Sequence, residues 1–321
     1  MSEKTTLPKK LLLFILIIAA VNFVVGGILL LLGFNLYFNE LFYGNSITFA
    51  IFRAISYIGE DMVQILLLAA LVFVYDVKFG RNVGFSLLGS VYVNGILKDI
   101  FQDPRPWTHI WDGEPVAEGL GFPSGHTQNA VAVWGLMSYE SYKKDNKILQ
   151  WLFIIFIYLI GISRIVIGVH DLQDVWGGFF FGTLFLVLFI YLEPLISEKS
   201  KSLNLLTKVI LSIIIPIAML AIALIIFPTT MIDYGMASGA LMGIALGYLI
   251  ETEKIHYDPK ALNNKQKLIN LVIGLVLTLV FYFALSVYSS DFFVWRFTKY
   301  FIIAFLVITL VPWIFTKIKR D

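Results

Sequence analysis

The chain has 321 residues, of which 59% are hydrophobic and 14% charged, with a mean hydropathy of +0.83 and a formal net charge of +2. That composition excludes an ordinary soluble domain, and the lack of cysteine excludes disulfides, thiolate catalysis and cysteine-bearing metal sites. The basic residues sit in short stretches between apolar runs, which argues against a nucleic-acid surface and for a role in membrane topology.

A bilayer core about 30 Å thick takes roughly 17 to 25 mostly apolar residues as helix, and runs of that kind recur along the chain. The first, Leu11 to Gly33, is too long for the apolar region of a signal peptide and lacks a persuasive A-x-A cleavage site, so it reads as a retained helix. Further spans are expected near residues 62–76, 82–100, 123–140, 148–164, 173–192, 208–228, 234–250, 268–289 and 300–316. The second is short, so Ser46 to Ile58 is expected to extend it as an amphipathic lead-in at the interface. The runs do not alternate apolar and polar residues as a closed barrel would. The expected fold class is thus all-α, a polytopic membrane helical bundle of about ten transmembrane helices. No internal repeat is visible, which weakens an inverted-repeat transporter reading.

With the N-terminus in the cytoplasm, 18 of the 24 Lys and Arg residues fall on the inner side. Both termini are therefore expected to be cytoplasmic. The outer side keeps Arg53, Lys98, Arg105, Arg164, Arg296 and Lys299.

Charged groups within a span cost about 2.5 to 3.5 kcal/mol each on insertion scales, so clusters of them need a reason. Lys98 to Pro106 closes the third expected helix, with Pro104 and Pro106 forcing the chain out of helix. Phe122-Pro123-Ser124-Gly125-His126 opens the fourth. Ser163-Arg164, His170 and Asp174 join the fifth to the sixth. Helix alternation brings all three clusters to one membrane face. Each alone has a bland explanation, since basic helix ends snorkel and Pro-Ser-Gly often opens a helix; their convergence does not. Three cations beside a helix N-terminus are what a phosphate dianion needs. Two histidines suit an attack on phosphorus and a proton transfer to the departing oxygen, and Asp174, one helical turn after His170, can hold that imidazole in the attacking tautomer.

At these residues the chain resembles the type 2 phosphatidic acid phosphatase superfamily, related in motif to vanadium haloperoxidases. Its three patterns, K-x6-R-P, P-S-G-H and S-R-x5-H-x3-D, are matched by Lys98 with Arg105-Pro106, by Pro123-Ser124-Gly125-His126, and by Ser163-Arg164, His170 and Asp174. The resemblance implies that His170 is the nucleophile, forming a phosphohistidine, that Asp174 orients it and that His126 protonates the leaving group. It implies that Lys98, Arg105, Arg164, Ser124 and the Gly125 backbone bind phosphate oxygens, and that no metal or other cofactor is needed. It also implies a six-helix phosphatase core over residues 1–195, with residues 196–321 as an additional four-helix membrane region. That region could complete a lipid-facing groove, bind a partner or form a homodimer.

The expected activity is hydrolysis of a lipid phosphomonoester or pyrophosphate, of the phosphatidic acid, phosphatidylglycerol phosphate or undecaprenyl pyrophosphate class, at the external face of the plasma membrane. Phosphotransfer to a hydroxyl acceptor would use the same residues. An anion transporter would account for the cations and leave His126, His170 and Asp174 without roles. His109, near Trp107 and Trp111, reads as part of an interfacial aromatic belt, and Asp103 and Asp171 border the cluster without being motif positions. His256 and the loop Glu251 to Lys267 read as a solvated cytoplasmic connection, and Gly178 and Gly182 as close helix packing within the chain.

Overall fold

The computed structural model describes residues 9–106, 119–226, 231–288 and 292–318. In chain order the helices are α1 (Lys9–Leu31), α2 (Tyr37–Phe42), α3 (Ser46–Ser56), α4 (Asp61–Val74), α5 (Val77–Phe101), α6 (Gly125–Lys143), α7 (Lys147–Val166), α8 (Leu172–Lys201), α9 (Leu205–Ile226), α10 (Met231–Ile250), α11 (Asn264–Ser286), α12 (Phe293–Ile308) and α13 (Leu310–Lys317). A 3-10 turn, Tyr57–Gly59, follows α3, and a π-helical turn, Glu251–Ile255, extends α10. The described residues contain no β-strand, only one antiparallel bridge between Pro104 and Leu120. The fold is an all-α membrane bundle, and every expected span carries a helix.

Among the described residues, seven helices are by themselves long and apolar enough to cross a bilayer, and up to eight spans result if one bent pair counts as a single span, against about ten expected. The α4 helix, with 14 residues, is too short alone, but it passes together with the segment Ser46–Gly59, from which it is bent by 51°. The amphipathic lead-in is thus a helix broken at Glu60. The α5 and α6 helices have 25 and 19 residues, enough to span. They are less apolar than the other spans, with Lys78, Arg81, Lys98 and Asp99 in one and His126, Gln128, Asn129, Glu140 and Lys143 in the other. The chain is an integral multi-pass membrane protein.

Two compact units divide the chain, and they do not follow its order. The first holds residues 1–60 and 93–198, the second residues 61–92 and 199–321. Residues 61–92 precede residue 195 yet group with the later helices.

In the first unit, small residues let helices approach. A Cβ on Gly178 of α8 would lie 2.8 Å from the Ser124 carbonyl oxygen, and one on Gly182 would lie 3.0 Å from that of Gln128, so α8 runs close against α6. The α1 helix is fastened by Asn22, which exchanges hydrogen bonds with the Tyr158 hydroxyl and accepts at its carbonyl from Trp176 Nε1 at 3.1 Å.

The second unit has a stronger version of the same device. Cβ atoms on Gly235, Gly239 and Gly243 of α10 would lie 2.6, 2.1 and 2.4 Å from the carbonyl oxygens of Phe293, Phe297 and Phe301 on α12. Tyr257 donates its hydroxyl to the Phe73 carbonyl at 2.6 Å and receives Asn270 Nδ2 at 2.7 Å. Glu251, buried, accepts the Tyr257 N–H at 2.8 Å. The Glu251 to Lys267 connection is therefore solvated only in part, because burying Glu251 and Tyr257 closes the end of this unit's core. His256 is exposed and takes the left-handed conformation, with φ of 56°.

Candidate active site

The α5 helix delivers Lys98 in its last turn and ends at Phe101, and Gln102 then adopts a left-handed conformation with φ of 51°. Beyond it the chain pairs back on itself. Pro104 bridges to Leu120, and the Gly121 N–H donates to the Asp103 carbonyl at 2.7 Å. Lys98 Nζ donates to the Leu120 carbonyl. This pairing sets Arg105 beside the segment that opens α6.

There Ser124 occupies the N-cap with extended backbone, and its side chain accepts from the Thr127 hydroxyl instead of capping the helix. The first N–H groups of α6 thus lack helical partners and make an anion-binding end. The Ser124 N–H donates to the Asp174 carbonyl at 2.9 Å, which ties the start of α6 to the first turn of α8. Asn94 on α5 reaches the Pro123 carbonyl at 3.2 Å and Gln128 Oε1 at 2.9 Å.

The α7 to α8 turn is held by groups from the N-terminal segment. Asn39 Nδ2 donates to the carbonyls of Ile165 and His170, at 3.0 and 2.9 Å. Asp171 caps α8 by accepting the Asp174 N–H at 2.9 Å, and its other oxygen receives Asn35 Nδ2 at 2.9 Å. Arg164, at the end of α7, donates to the Ser56 hydroxyl. Its Nε is buried with no hydrogen-bond partner among the described residues.

His170 lies at the centre and is 1% exposed. Its Nδ1 is 2.8 Å from Asp174 Oδ2, and its Nε2 is 3.0 Å from Arg105 Nη1. A guanidinium has no acceptor, so Nε2 must supply the lone pair and the ring proton must sit on Nδ1, shared with Asp174. Burial first, and then the positive charges of Arg105, Arg164, Lys98 and His126, hold this imidazole well below the ordinary histidine range. It is a neutral base whose free electron pair faces cations.

His126, the second residue of α6, stands within the field of Arg164 and Arg105. Its ring meets Glu60, with Nε2 3.3 Å from Oε1. The structure therefore gathers all the expected site residues in the first unit. His170, Asp174 and Arg105 are linked directly, Ser124 and Lys98 through backbone groups, and Arg164 through the turn that carries His170. Asp171 turns out to be the cap that starts α8. Trp107, His109 and Trp111 lie outside the described residues, and His256 belongs to the other unit. Among the described residues no group of three or more His, Asp or Glu side chains could hold a metal ion. Glu60, Ser56, Asn35, Asn39 and Asn94 are the participants that motif spacing did not announce.

Residues 79–198 match the PAP2 superfamily, and residues 235–320 match the family described as PAP2 superfamily phosphatase, transmembrane extension. Phosphatidylglycerophosphatase B of Bacillus subtilis (strain 168) is 34% identical over 104 residues, which cover 30% of this chain and 49% of that protein. Undecaprenyl-diphosphatase BcrC of the same strain is 30% identical over 96 residues, covering 29% of this chain and 47% of that protein. The matches thus span about half the length of these curated relatives. Among solved structures, the crystal structure of the first transmembrane PAP2 type phosphatidylglycerolphosphate phosphatase from Bacillus subtilis aligns with a TM-score of 0.42 and 24% identity, over 61% of this chain and 98% of that one. The chain belongs to the PAP2 superfamily, with a PAP2 domain over residues 79–198 followed by a PAP2 phosphatase transmembrane extension over residues 235–320.

Proposed function

We propose that the protein hydrolyses phosphorylated membrane lipids through a phosphohistidine on His170. The observation that carries the reading is the buried Asp174–His170–Arg105 line, which leaves the lone pair on Nε2 and places a cation where a phosphoryl oxygen would arrive. Arg105, Lys98 and Arg164 would take the phosphoryl oxygens together with Ser124 and the Gly125 N–H, as charged donors at a helix N-terminus. Nε2 attacks phosphorus, the bond to the lipid oxygen breaks, and His126 gives that oxygen its proton. Water then returns a proton to His126 as it attacks, the N–P bond breaks and phosphate leaves. The full positive charges can neutralise the developing equatorial charge without a divalent ion.

The relatives named above motivate substrates of the phosphatidylglycerol phosphate and undecaprenyl diphosphate classes, with phosphatidic acid as a third. The distribution of basic residues supports a site on the external face of the plasma membrane and cytoplasmic termini. We place the catalytic core within residues 1–195 and assign residues 196–321 a separate role. The test is phosphate release from these lipids by purified protein in chelator, beside His170→Ala, with acid-labile, base-stable label sought on the wild-type chain after rapid quenching. Release confined to wild type with a labelled intermediate is expected. Activity that survives His170→Ala, or that needs a divalent cation, overturns the mechanism.

A further inference from the structure

Glu60 lies outside residues 79–198 and at the break between the Tyr57–Gly59 turn and α4, yet it meets a histidine of the site. Its Oε1 is 3.3 Å from His126 Nε2, and the approach is enforced on the neighbouring residue too, since a Cβ on Gly59 would lie 2.6 Å from His126 Cδ2. The chain is thus pressed against the ring where the carboxylate follows. His126 otherwise faces positive charge, from Arg164 on α7 and from Arg105 in the loop after α5. Burial first, and then those cations, oppose a proton on the imidazole, although a proton donor must carry one. Glu60 is the negative group that meets the ring. Arg164 and Arg53 act on Glu60 itself.

We propose that Glu60 is a positioning residue that holds His126 and favours its protonated form for its work as the general acid, so that the site holds two carboxylate–imidazole pairs with opposite tasks. Asp174 fixes the tautomer of a neutral nucleophile, and Glu60 works against the cations around a second imidazole that must gain and lose a proton. The inference rests on the reading of His126 as the proton donor. An ionised carboxylate only accepts, so the proton shared with Glu60 stays on Nε2. The proton given to the leaving oxygen is then the one on Nδ1. The ring becomes neutral as the P–O bond breaks and is recharged by the attacking water.

A general acid matters in proportion to the basicity of its leaving group. A lipid alkoxide needs the proton, whereas p-nitrophenolate leaves without one. Glu60→Gln should therefore lose roughly 10- to 100-fold in kcat on a lipid phosphate, with a much smaller loss on p-nitrophenyl phosphate. Its alkaline limb should move to lower pH, because His126 without the carboxylate surrenders its proton sooner. Glu60→Asp should recover part of both effects. Turnover of the aryl ester reports that each variant is folded. Equal losses on the two substrates with an unmoved pH profile, when His126→Ala still shows selective loss on the lipid, would overturn the role of Glu60 alone. Should His126→Ala also lose both equally, the reading of His126 as the acid fails with it.

Discussion

Arg105 Nη1 donates to His170 Nε2 across 3.0 Å, so the nitrogen proposed to attack phosphorus is engaged by a group proposed to bind a phosphoryl oxygen. Asp174 makes that arrangement consistent by accepting from Nδ1 at 2.8 Å. An asparagine at 174 could donate its amide to Nδ1, which would move the ring proton to Nε2 and remove the nucleophilic lone pair. Asp174→Asn should therefore cost about 10³- to 10⁴-fold in kcat, the scale on which tautomer reversal acts in hydrolytic triads, with KM nearly unchanged. Steady-state kinetics on a lipid phosphate measure this, and a loss under tenfold would remove Asp174 from the mechanism.

The depressed basicity of His170 fixes the sign of two pH effects. The proposed nucleophile stays neutral well below pH of about 6.5, the ordinary histidine value, so the acid limb that it sets should lie under that point. Removing a neighbouring cation by Arg105→Gln raises its basicity, and the limb of the residual activity should shift to higher pH. Folding responds to the same group. Unfolded chain binds the proton near pH 6.5 while folded chain refuses it until lower pH, so the contribution of His170 to stability is full above about 6.5 and declines as pH falls towards the folded value. Thermal unfolding from pH 8 to 5 in wild type and His170→Ala compares the two. A wild-type midpoint that falls no more steeply than the variant's would contradict the linkage.

The motif residues and the alternation of helix direction make the centre of the candidate site legible in the sequence. Lys98, Ser124 and Arg164 each sit at a helix end and His170 in the turn between two helices, and helix ends follow from apolar runs and from Pro104, Pro106 and Pro123. The supporting shell was not readable in the same way. Asn35, Asn39, Ser56 and Glu60 come from a stretch between the first two expected spans, and a lone Asn or Glu near a helix end serves many purposes. Only packing decides that Asn39 bonds the His170 carbonyl or that Glu60 meets His126. The division into units was hidden too, because a bend at Glu60 and a single long α5 leave no mark in composition. The glycines of α10 did carry a signal, at spacing four from Gly235 to Gly247, and its meaning is a close helix crossing.

Gly121 tests how finely Asp174 must be placed. A Cβ there would lie 2.9 Å from Asp174 Oδ2 and 2.9 Å from the Pro104 carbonyl oxygen, and the second of these is backbone that cannot step aside cheaply. Gly121→Ala should displace Asp174 from His170 and reduce kcat by about 10² or more, since small misplacements near reacting groups cost that much. Gly27→Ala is the matched control, because nothing lies within 4 Å of its added carbon. Equal activity in the two variants would mean that the carboxylate tolerates being moved.

Gly239 separates packing from chemistry, since it lies in the unit that holds none of the expected site residues. Its added Cβ would come within 2.1 Å of the Phe297 carbonyl oxygen, with Gly235 and Gly243 fixing the crossing on either side. The α10 and α12 helices cannot separate at one turn without loosening the next. Gly239→Ala should therefore destabilise by more than the 1 to 3 kcal/mol that is roughly typical of overpacking. The measurement is the thermal midpoint in detergent together with kcat per folded molecule. A lowered midpoint with kcat retained would assign the α10–α12 crossing to stability. A fall in kcat at unchanged midpoint would instead show that the second unit acts on the catalytic step.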